Sequence, residues 1–376
     1  MQDPTPYPTF LQLTTVDIHQ KFIDVEWEQR NRLARGVHDK ESQWSICGIE
    51  MTNRNRYANV NPYQSNRVKL QVPEGHNDYI NASPILLQST ASKKVTKFIV
   101  TQGPKHDTFS HIWRMIWHEN TSPAVVVMLT PTHESGREIS CRYYPQTLAA
   151  CDMKVNEEDE FEDGLEHNIR LTSLNENAET RTQLRELAMT TEDGSESKLI
   201  YHLLFEGWPD FLVPEGADRE ALLKLIKLSR ELNADNSTNP RIVHCSAGVG
   251  RSGTFIALDW LLQELEEGSL DDLPEDHDPI AEVVDQLRQQ RMMMVQGDAQ
   301  FGFLYEVLRE KWRDRYWKLH PETAGKGGPE DRAQTTQKQT TQKGTSRHQS
   351  KKSKSDLDED AHAELQAELA GADSSF

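Results

Sequence analysis

Hydrophobic residues recur along the chain at two spacings, and each spacing predicts one kind of secondary structure. Apolar residues three or four positions apart among charged ones predict amphipathic helices, and short apolar runs rich in β-branched residues predict buried strands. The predicted helices are residues 15–37, 111–118, 221–232, 252–267, 280–290 and 300–319. The predicted strands are residues 79–82, 97–101, 124–130, 198–205 and 241–244.

The pattern stops after His320, and this end divides the chain into two parts. Residues 321–376 contain a glycine-rich stretch, a Gln/Thr/Lys tract and very few apolar side chains, so they cannot bury enough surface to fold. We predict one folded domain over residues 1–320 and a disordered, low-complexity tail over residues 321–376. Within the domain, the acidic segments 157–166 and 271–278 are predicted to be solvated surface connections.

Charge and cysteine content narrow the classes of function. The 60 acidic residues outnumber the 42 basic ones, and the resulting formal charge of −18 argues against broad binding to nucleic acid or to an anionic membrane. The 4 cysteines lack CxxC spacing and are too few for a disulfide framework, which favours a reducing compartment. The longest apolar run, residues 124–129, is too short to span a bilayer.

These features predict a soluble, cytoplasmic protein. The N-terminus has no basic stretch followed by an apolar run, so a secretory signal is not indicated. A small basic cluster at residues 351–354 suits nuclear import or phosphate binding, although clusters of this size are common in tails. The oligomeric state is not indicated.

The segment 243–254 carries the clearest chemistry. A predicted strand delivers a loop into the N-terminus of a predicted helix, where backbone N–H groups and the positive end of the helix dipole favour an anion. Cys245 opens this loop, so the same field favours its thiolate, which is the nucleophilic form. Arg251 closes the loop, and its guanidinium can bind two oxygens of a phosphoryl group. Gly248 and Gly250 permit the tight backbone.

A cysteine with an arginine six positions later is a weak signal by itself, and a buried inert cysteine is the ordinary alternative. Among the cysteines, only Cys245 has an arginine at this offset. The neighbouring His244, Ser252 and glycines argue against a chance match, so we interpret the segment as a nucleophilic phosphate-binding loop.

Phosphoryl transfer also needs a proton for the leaving oxygen, and Asp210 is the candidate acid. It follows Trp208 and Pro209 in a loop rich in glycine and proline, where an aromatic latch could help to close the carboxyl group over the site. A simple turn is the ordinary alternative. Gln296 and Gln300 flank a Gly-Asp pair and could orient a hydrolytic water.

Together these segments resemble the tyrosine-specific protein phosphatases of the cysteine-based superfamily. Residues 244–253 are similar to the signature loop of that family, and residues 208–210 are similar to its mobile acid loop. Four further motifs are matched by Asn55-Arg56-Tyr57, by Asp78-Tyr79-Ile80-Asn81-Ala82-Ser83, by Thr101-Gln102-Gly103-Pro104, and by Gln296 with Gln300. The motifs occur in the order of the family and cover most of the predicted domain.

The resemblance implies an α/β fold with a central twisted mixed sheet flanked by helices and the phosphate loop between a strand and a helix. It implies that residues 1–320 are a catalytic domain acting on phosphotyrosine-containing proteins without a metal or other cofactor. Cys245 would attack phosphorus while Asp210 protonates the tyrosine oxygen, giving a phosphocysteine. Asp210 would then act as base on a water placed by Gln296, while Arg251 and the loop amides hold the phosphoryl oxygens.

Supporting roles follow from the same resemblance. Ser252 would hydrogen-bond the departing thiolate, His244 would help to keep that thiolate ionised, and Glu134 occupies the position that pairs with Arg251. The other expected substrate-binding residues are Tyr57, Asn59, Val60, Trp208, Ser246, Ala247, Gly248, Val249, Gly250 and Gln300.

Substrate selection is expected from the depth of the site. A narrow slot would admit a phosphate carried on a phenyl ring and exclude the shorter phosphoserine; its walls would be Tyr57, Val60, Ala247, Val249 and Gln296. A dual-specificity enzyme is normally shorter and lacks the Asn-Arg-Tyr segment, so we favour strict tyrosine specificity.

Four positions depart from the family pattern. Asn59 replaces an aspartate that commonly contacts the peptide backbone, and Leu212 replaces a glycine after the aromatic residue of the acid loop. Ile139 replaces a lysine that supports the acid loop, and Gly297 replaces a threonine. These changes bear on peptide preference, rate and loop closure more than on the chemistry.

Two other functions could use such a loop. A pseudophosphatase would bind phosphotyrosine without turnover, but the intact Cys245, Arg251 and Asp210 argue against it. A rhodanese-like sulfurtransferase also places a cysteine at the head of an anion loop, but it explains neither Asp210 nor Gln296.

Overall fold

The computed structural model describes residues 5–209 and 212–321, and the chain divides into a unit of residues 1–318 and a second unit that starts at residue 319. Asp210 and the predicted tail from residue 322 onwards lie outside the described residues. The helices in the described part are α1 (Thr15–His38), α2 (Phe109–Glu119), α3 (Gly216–Leu232), α4 (Gly250–Glu267), α5 (Pro279–Gln290) and α6 (Asp298–Leu319), with two short 3-10 helices at Thr9–Gln12 and Gln64–Asn66.

The strands form one large mixed sheet and one small hairpin. They are β1 (Ala82–Gln88), β2 (Val95–Thr101), β3 (Ala124–Met128), β4 (His133–Glu134), β5 (Arg137–Glu138), β6 (Asp152–Val155), β7 (His167–Asn177), β8 (Thr182–Thr191), β9 (Ser197–Phe205) and β10 (Arg241–His244). The sheet order is β1-β2-β10-β3-β9-β8-β7-β6, and β4 pairs with β5. Strands β2, β10, β3 and β9 run parallel, whereas the flanking strands pair antiparallel.

The centre of this sheet is buried on both faces, which explains its composition. Every residue of β3 has an exposed fraction of 0%, as expected for a β-branched run covered by helices on both sides. One apolar cluster packs α3, α4, α5 and α6 against one face, and a second packs α2 against the other. The carboxyl ends of the parallel strands meet at one edge, where ligand sites of such sheets form.

The structure confirms the predicted α/β class and the mixed sheet between helices. It also corrects one strand, because the predicted strand at residues 79–82 in fact begins at Ala82 and continues to Gln88. The strand was not predicted beyond Ala82 because it contains Pro84, and proline is unfavourable within most strands. The proline lies on the sheet edge, where the lack of an N–H group costs no ladder hydrogen bond.

The antiparallel strands β6, β7 and β8 were not predicted. Their residues alternate between buried and partly exposed positions and are rich in polar side chains, so they lack the continuous apolar runs of β3 and β10. A partly solvated meander of this kind has a weak hydrophobic signal.

The two acidic segments are only partly solvated, so that prediction was wrong in part. Phe161, in the first segment, is 2% exposed. Asp278, at the end of the second, is 4% exposed and caps α5 by accepting hydrogen bonds from the N–H groups of Ile280 and Ala281. Charged segments can be buried when their carboxylates have partners, and a charge count does not reveal those partners.

Within residues 5–209 and 212–321, every helix is too short or too polar to cross a membrane.

Candidate active site

The loop after β10 is held in a conformation that only glycine allows at one position. Gly248 has φ of 71°, and a Cβ atom there would lie 2.2 Å from the carbonyl oxygen of Thr101. Val249 follows at the N-cap of α4, and valine has no polar side-chain atom with which to cap the helix. The first amides of α4 therefore point into a loop that is shaped to receive an anion. Cys245, 5% exposed, opens this loop.

Arg251 lies in the first turn of α4 and is fixed by a carboxylate. Its Nη1 donates to Glu134 Oε1 at 2.6 Å, and its Nη2 donates to Glu134 Oε2 at 3.0 Å. Thr130 Oγ1 accepts a further bond from Nη1 at 2.7 Å. The pairing expected between Arg251 and Glu134 is thus present, and a bidentate pair of this kind fixes the plane of the guanidinium.

A second arginine, Arg291, fixes the loop from behind and was missed in the sequence. Its Nε donates to Gly248 O at 2.8 Å and its Nη2 to Ala247 O at 3.2 Å. The same guanidinium also binds Asn81 Oδ1 and Ser83 Oγ. Because the two loop carbonyls point at Arg291, the amides of the loop are turned the other way, towards the anion site.

Arg291 is wholly buried, and burial lowers its pKa to about 10, so it remains protonated at neutral pH. An arginine next to the apolar run 292–295 and five positions before Gln296 was the available signal. A lone charge beside an apolar run has too many structural explanations to be assigned without the fold.

His244 is connected to two further buried side chains. Its Nδ1 lies 3.1 Å from Cys245 O, and its Nε2 lies 2.7 Å from the hydroxyl of Tyr143. That hydroxyl also lies 3.0 Å from Nε2 of His202. A carbonyl can only accept, so Nδ1 of His244 carries a proton.

The remaining protons follow from this one. Burial lowers the pKa of His244 to about 4 and that of His202 well below its ordinary value, so both rings are neutral at pH 7. His244 Nε2 therefore accepts from Tyr143, and the Tyr143 oxygen accepts from His202 Nε2. His244 thus acts on the loop through a hydrogen bond to the Cys245 carbonyl, without a positive charge.

Ser252 has a buried hydroxyl in the first turn of α4. The residue is 0% exposed, and its Oγ has no hydrogen-bond partner among the described residues. Such a group costs free energy unless a ligand or a changing charge uses it. The expected hydrogen bond from Ser252 to a departing thiolate stays a prediction.

Gln296 and Gln300 lie against the start of α4, and their role in positioning a water stays a prediction. Gln300 Oε1 accepts from the N–H groups of Gln296 and Gly297, at 3.1 and 3.4 Å. A Cβ at Gly250 would lie 2.9 Å from Gln300 Oε1 and 3.3 Å from the Cβ of Gln296. Glycine at position 250 is therefore what permits this close approach.

The segment containing Tyr57 is tied to the phosphate loop. Ser246 Oγ donates to Ile139 O at 3.2 Å, so the 2.7 Å contact between Tyr57 and Ser246 is a bond donated by the tyrosine hydroxyl. Arg56 binds the Thr101-Gln102-Gly103-Pro104 motif by donating to Gly103 O at 2.9 Å and to Pro104 O at 2.7 Å.

The other expected substrate-binding residues differ in exposure. Asn59 is exposed, and Ala247, an expected wall of the slot, is partly exposed. Val60 and Val249 are 4% and 0% exposed, so in this conformation they offer almost no surface. Their contact with a substrate ring stays a prediction.

The acid loop is described on both sides of Asp210, which itself lies outside the described residues. The Trp208 indole is buried, packs against Phe303 of α6 and donates to Leu212 O at 3.0 Å. Leu212, which departs from the family pattern, is 60% exposed. The loop is therefore fixed at Trp208 and exposed to solvent at Leu212.

Three metal-ligating side chains of the His, Cys, Asp and Glu types do not come together anywhere in the described ranges.

Comparison with known proteins places this geometry in a family. The sequence model described as Protein-tyrosine phosphatase matches residues 51–310. The chain is 34% identical over 313 residues to Tyrosine-protein phosphatase 2 of Schizosaccharomyces pombe, covering 81% of this chain and 40% of that protein. It is 33% identical over 330 residues to Tyrosine-protein phosphatase 1 of Saccharomyces cerevisiae, covering 80% of this chain and 96% of that protein.

Solved structures show the same fold. The catalytic domain of human protein tyrosine phosphatase non-receptor type 18 has a TM-score of 0.62 at 27% identity, with 79% of this chain and 96% of that chain covered. A structure of that phosphatase in complex with HER2 phosphopeptides has a TM-score of 0.63 at 29% identity, with 78% and 92% covered.

Proposed function

This chain belongs to the protein-tyrosine phosphatase family, and we propose that it hydrolyses phosphotyrosine in proteins through a phosphocysteine intermediate on Cys245. One observation carries the proposal: Cys245 opens a strand-to-helix loop whose carbonyls are bound by Arg291 from behind and whose helix carries Arg251, itself fixed by Glu134. Amides and a guanidinium aimed at one point stabilise the equatorial oxygens of a phosphoryl group in the transition state.

The first step transfers the phosphoryl group to sulfur. The Cys245 thiolate forms the S–P bond as the bond between phosphorus and the tyrosine oxygen breaks, and Asp210 gives its proton to that oxygen. The dephosphorylated tyrosine side chain of the substrate protein leaves, and Asp210 becomes a carboxylate.

The second step returns the enzyme to its starting state. A water oriented by Gln296 forms a new P–O bond while the S–P bond breaks, and Asp210 takes the proton of that water. The Ser252 hydroxyl, unpaired among the described residues, donates a hydrogen bond to the thiolate as it departs, which stabilises the negative charge developing on sulfur.

Specificity for tyrosine is part of the proposal. The Tyr57 hydroxyl bonds to Ser246 of the phosphate loop, so its ring forms an aromatic wall beside the path of the phosphate to Cys245. A phenyl ring is long enough to bring its phosphate past this wall to Cys245, whereas the shorter side chain of phosphoserine is not. Phosphotyrosine-containing proteins are the proposed partners, and a cytoplasmic location is proposed with them.

The test is phosphate release from two peptides of one sequence, carrying either phosphotyrosine or phosphoserine. We expect rapid release from the first peptide, much slower release from the second, and none from either after Cys245→Ser. Tight binding of the phosphotyrosine peptide without release by the wild type would support the pseudophosphatase instead. Sulfur transfer from thiosulfate would support the sulfurtransferase.

A further inference from the structure

The first acidic segment, residues 157–166, is anchored to the body of the protein. Phe161 is buried beneath two guanidinium groups, with Arg114 at 4.6 Å and Arg54 at 5.9 Å from its ring centroid. Asp163 pairs with Arg114. The segment is therefore fixed in place by an aromatic side chain and by charges.

Glu160, beside Phe161, has both carboxylate oxygens engaged. Oε1 accepts from Arg54 Nη2 at 2.9 Å, and Oε2 lies 2.6 Å from Nε2 of His111. The hydrogen bond to His111 is the main cause that lowers the pKa of Glu160, so the carboxylate is ionised at neutral pH. The contacts with Arg54 and His111 together fix the orientation of the carboxylate.

Arg54 carries this contact into the Asn55-Arg56-Tyr57 segment. Its Nη1 donates to Asn77 O at 2.9 Å and to Tyr79 O at 2.8 Å, and the residue is 8% exposed. Its backbone is also held, because Gln102 Nε2 donates to Arg54 O at 2.7 Å. The Arg54 guanidinium thus joins Glu160 to the backbone of residues 77–79, and the Arg54 backbone leads directly to Tyr57.

Tyr57 lies three residues further on, and its hydroxyl contacts Ser246 of the phosphate loop. A path of direct contacts thus connects Glu160 to the aromatic wall of the site. Each step is a bonded neighbour or a hydrogen bond between described residues.

We propose that Glu160 is a positioning residue for Tyr57, acting through Arg54, so that the acidic segment sets how well the site accepts a phosphate carried on a phenyl ring. This inference rests on the proposed function. It assigns the segment a role in selecting phosphotyrosine over phosphoserine.

The experiment compares Glu160→Ala and Glu160→Gln with a matched control, Glu158→Ala, which removes the same charge from an exposed position of the same segment. Steady-state kinetics are measured on the phosphotyrosine and phosphoserine peptides. For Glu160→Ala we expect KM for the phosphotyrosine peptide to rise about threefold to tenfold with little change in kcat, because the loss is one of substrate binding. Glu160→Gln keeps an acceptor for Arg54 and should recover most of the affinity, and Glu158→Ala should match the wild type.

Two controls keep the result interpretable. The ratio of kcat/KM between the two peptides should fall with Glu160→Ala, whereas general damage to the fold would lower both values and leave the ratio unchanged. In an Arg54→Lys background, Glu160→Ala should add less than it does alone, because both act on one contact.

An unchanged KM in Glu160→Ala would overturn the inference, as would full additivity with Arg54→Lys. A wild type that releases no phosphate would instead overturn the proposed function, so the two failures are distinct. If Glu160→Ala does not fold, Arg54→Lys measured alone decides the matter, because one ammonium cannot replace the contacts of the guanidinium with Glu160, Asn77 and Tyr79. It should raise KM for the phosphotyrosine peptide and lower the kcat/KM ratio, and unchanged values would overturn the inference.

Discussion

Replacing Arg291 by lysine should weaken phosphate binding without touching the phosphate. Arg291 donates to the carbonyls of Ala247 and Gly248 and to two further buried side-chain acceptors. The single ammonium of lysine cannot bond to all four acceptors, so at least one of them loses its charged partner, and loss of a loop carbonyl is the case that weakens phosphate binding. A hydrogen bond to a charged group contributes about 1.5–3 kcal/mol. If one such bond fixes the loop, phosphate should bind about tenfold to a hundredfold more weakly.

The assay is titration calorimetry with inorganic phosphate at constant ionic strength, accompanied by urea unfolding to show that the variant is folded. Arg288→Lys is the matched control. Arg288 is equally buried and donates to the carbonyls of Met294 and Val295 at 2.9 and 2.8 Å, outside the phosphate loop. The Arg288→Lys variant should be less stable than the wild type but should bind phosphate with an affinity within about threefold of the wild type. Equal weakening in both variants, or none in Arg291→Lys, would refute the reasoning.

Three further outcomes are expected. Asp210→Ala should lower kcat on a phosphotyrosine peptide by about a hundredfold with KM nearly unchanged, because the acid acts on the leaving group in the transition state; a loss confined to KM would contradict the assigned role. The free energy of unfolding, measured in urea, should be highest above about pH 6.5 and fall towards pH 4. The pKa values of buried His167, His202 and His244 are lowered, so only the unfolded chain takes up their protons, at about 1.4 kcal/mol per pH unit for each histidine. A free energy that stays constant between pH 7 and 5 would be inconsistent with neutral buried rings. Mild peroxide should inactivate the enzyme through oxidation of Cys245 in a way that thiols reverse, and phosphate should protect it; inactivation that thiols cannot reverse would count against this chemistry.

The sequence was sufficient to identify the candidate site residues whose chemistry depends on close neighbours in the chain. Cys245, Arg251 and the glycines between them lie within a few positions of one another, and a strand-to-helix context gives them one interpretation. The same locality predicted the buried strands and the amphipathic helices, since each is defined by its own residues.

What the sequence did not reveal depends on contacts between distant segments. Arg291 is a partner of the phosphate loop only because α5 ends behind it, and His202 meets His244 only through Tyr143. The acidic segment looked solvated because its partners, Arg54 and Arg114, lie far away in the chain. Pair contacts of this kind follow from the fold and leave no local pattern.

The most direct measurement of the central claim is the identity of the atom that receives the phosphoryl group. Gln296→Ala, which should slow the attack of water, is mixed with a phosphotyrosine peptide, quenched rapidly and digested for mass spectrometry. The account predicts one phosphoryl group on the peptide that contains Cys245, and none in Cys245→Ser. Phosphate on any other residue, or continued release of phosphate by Cys245→Ser, would contradict it.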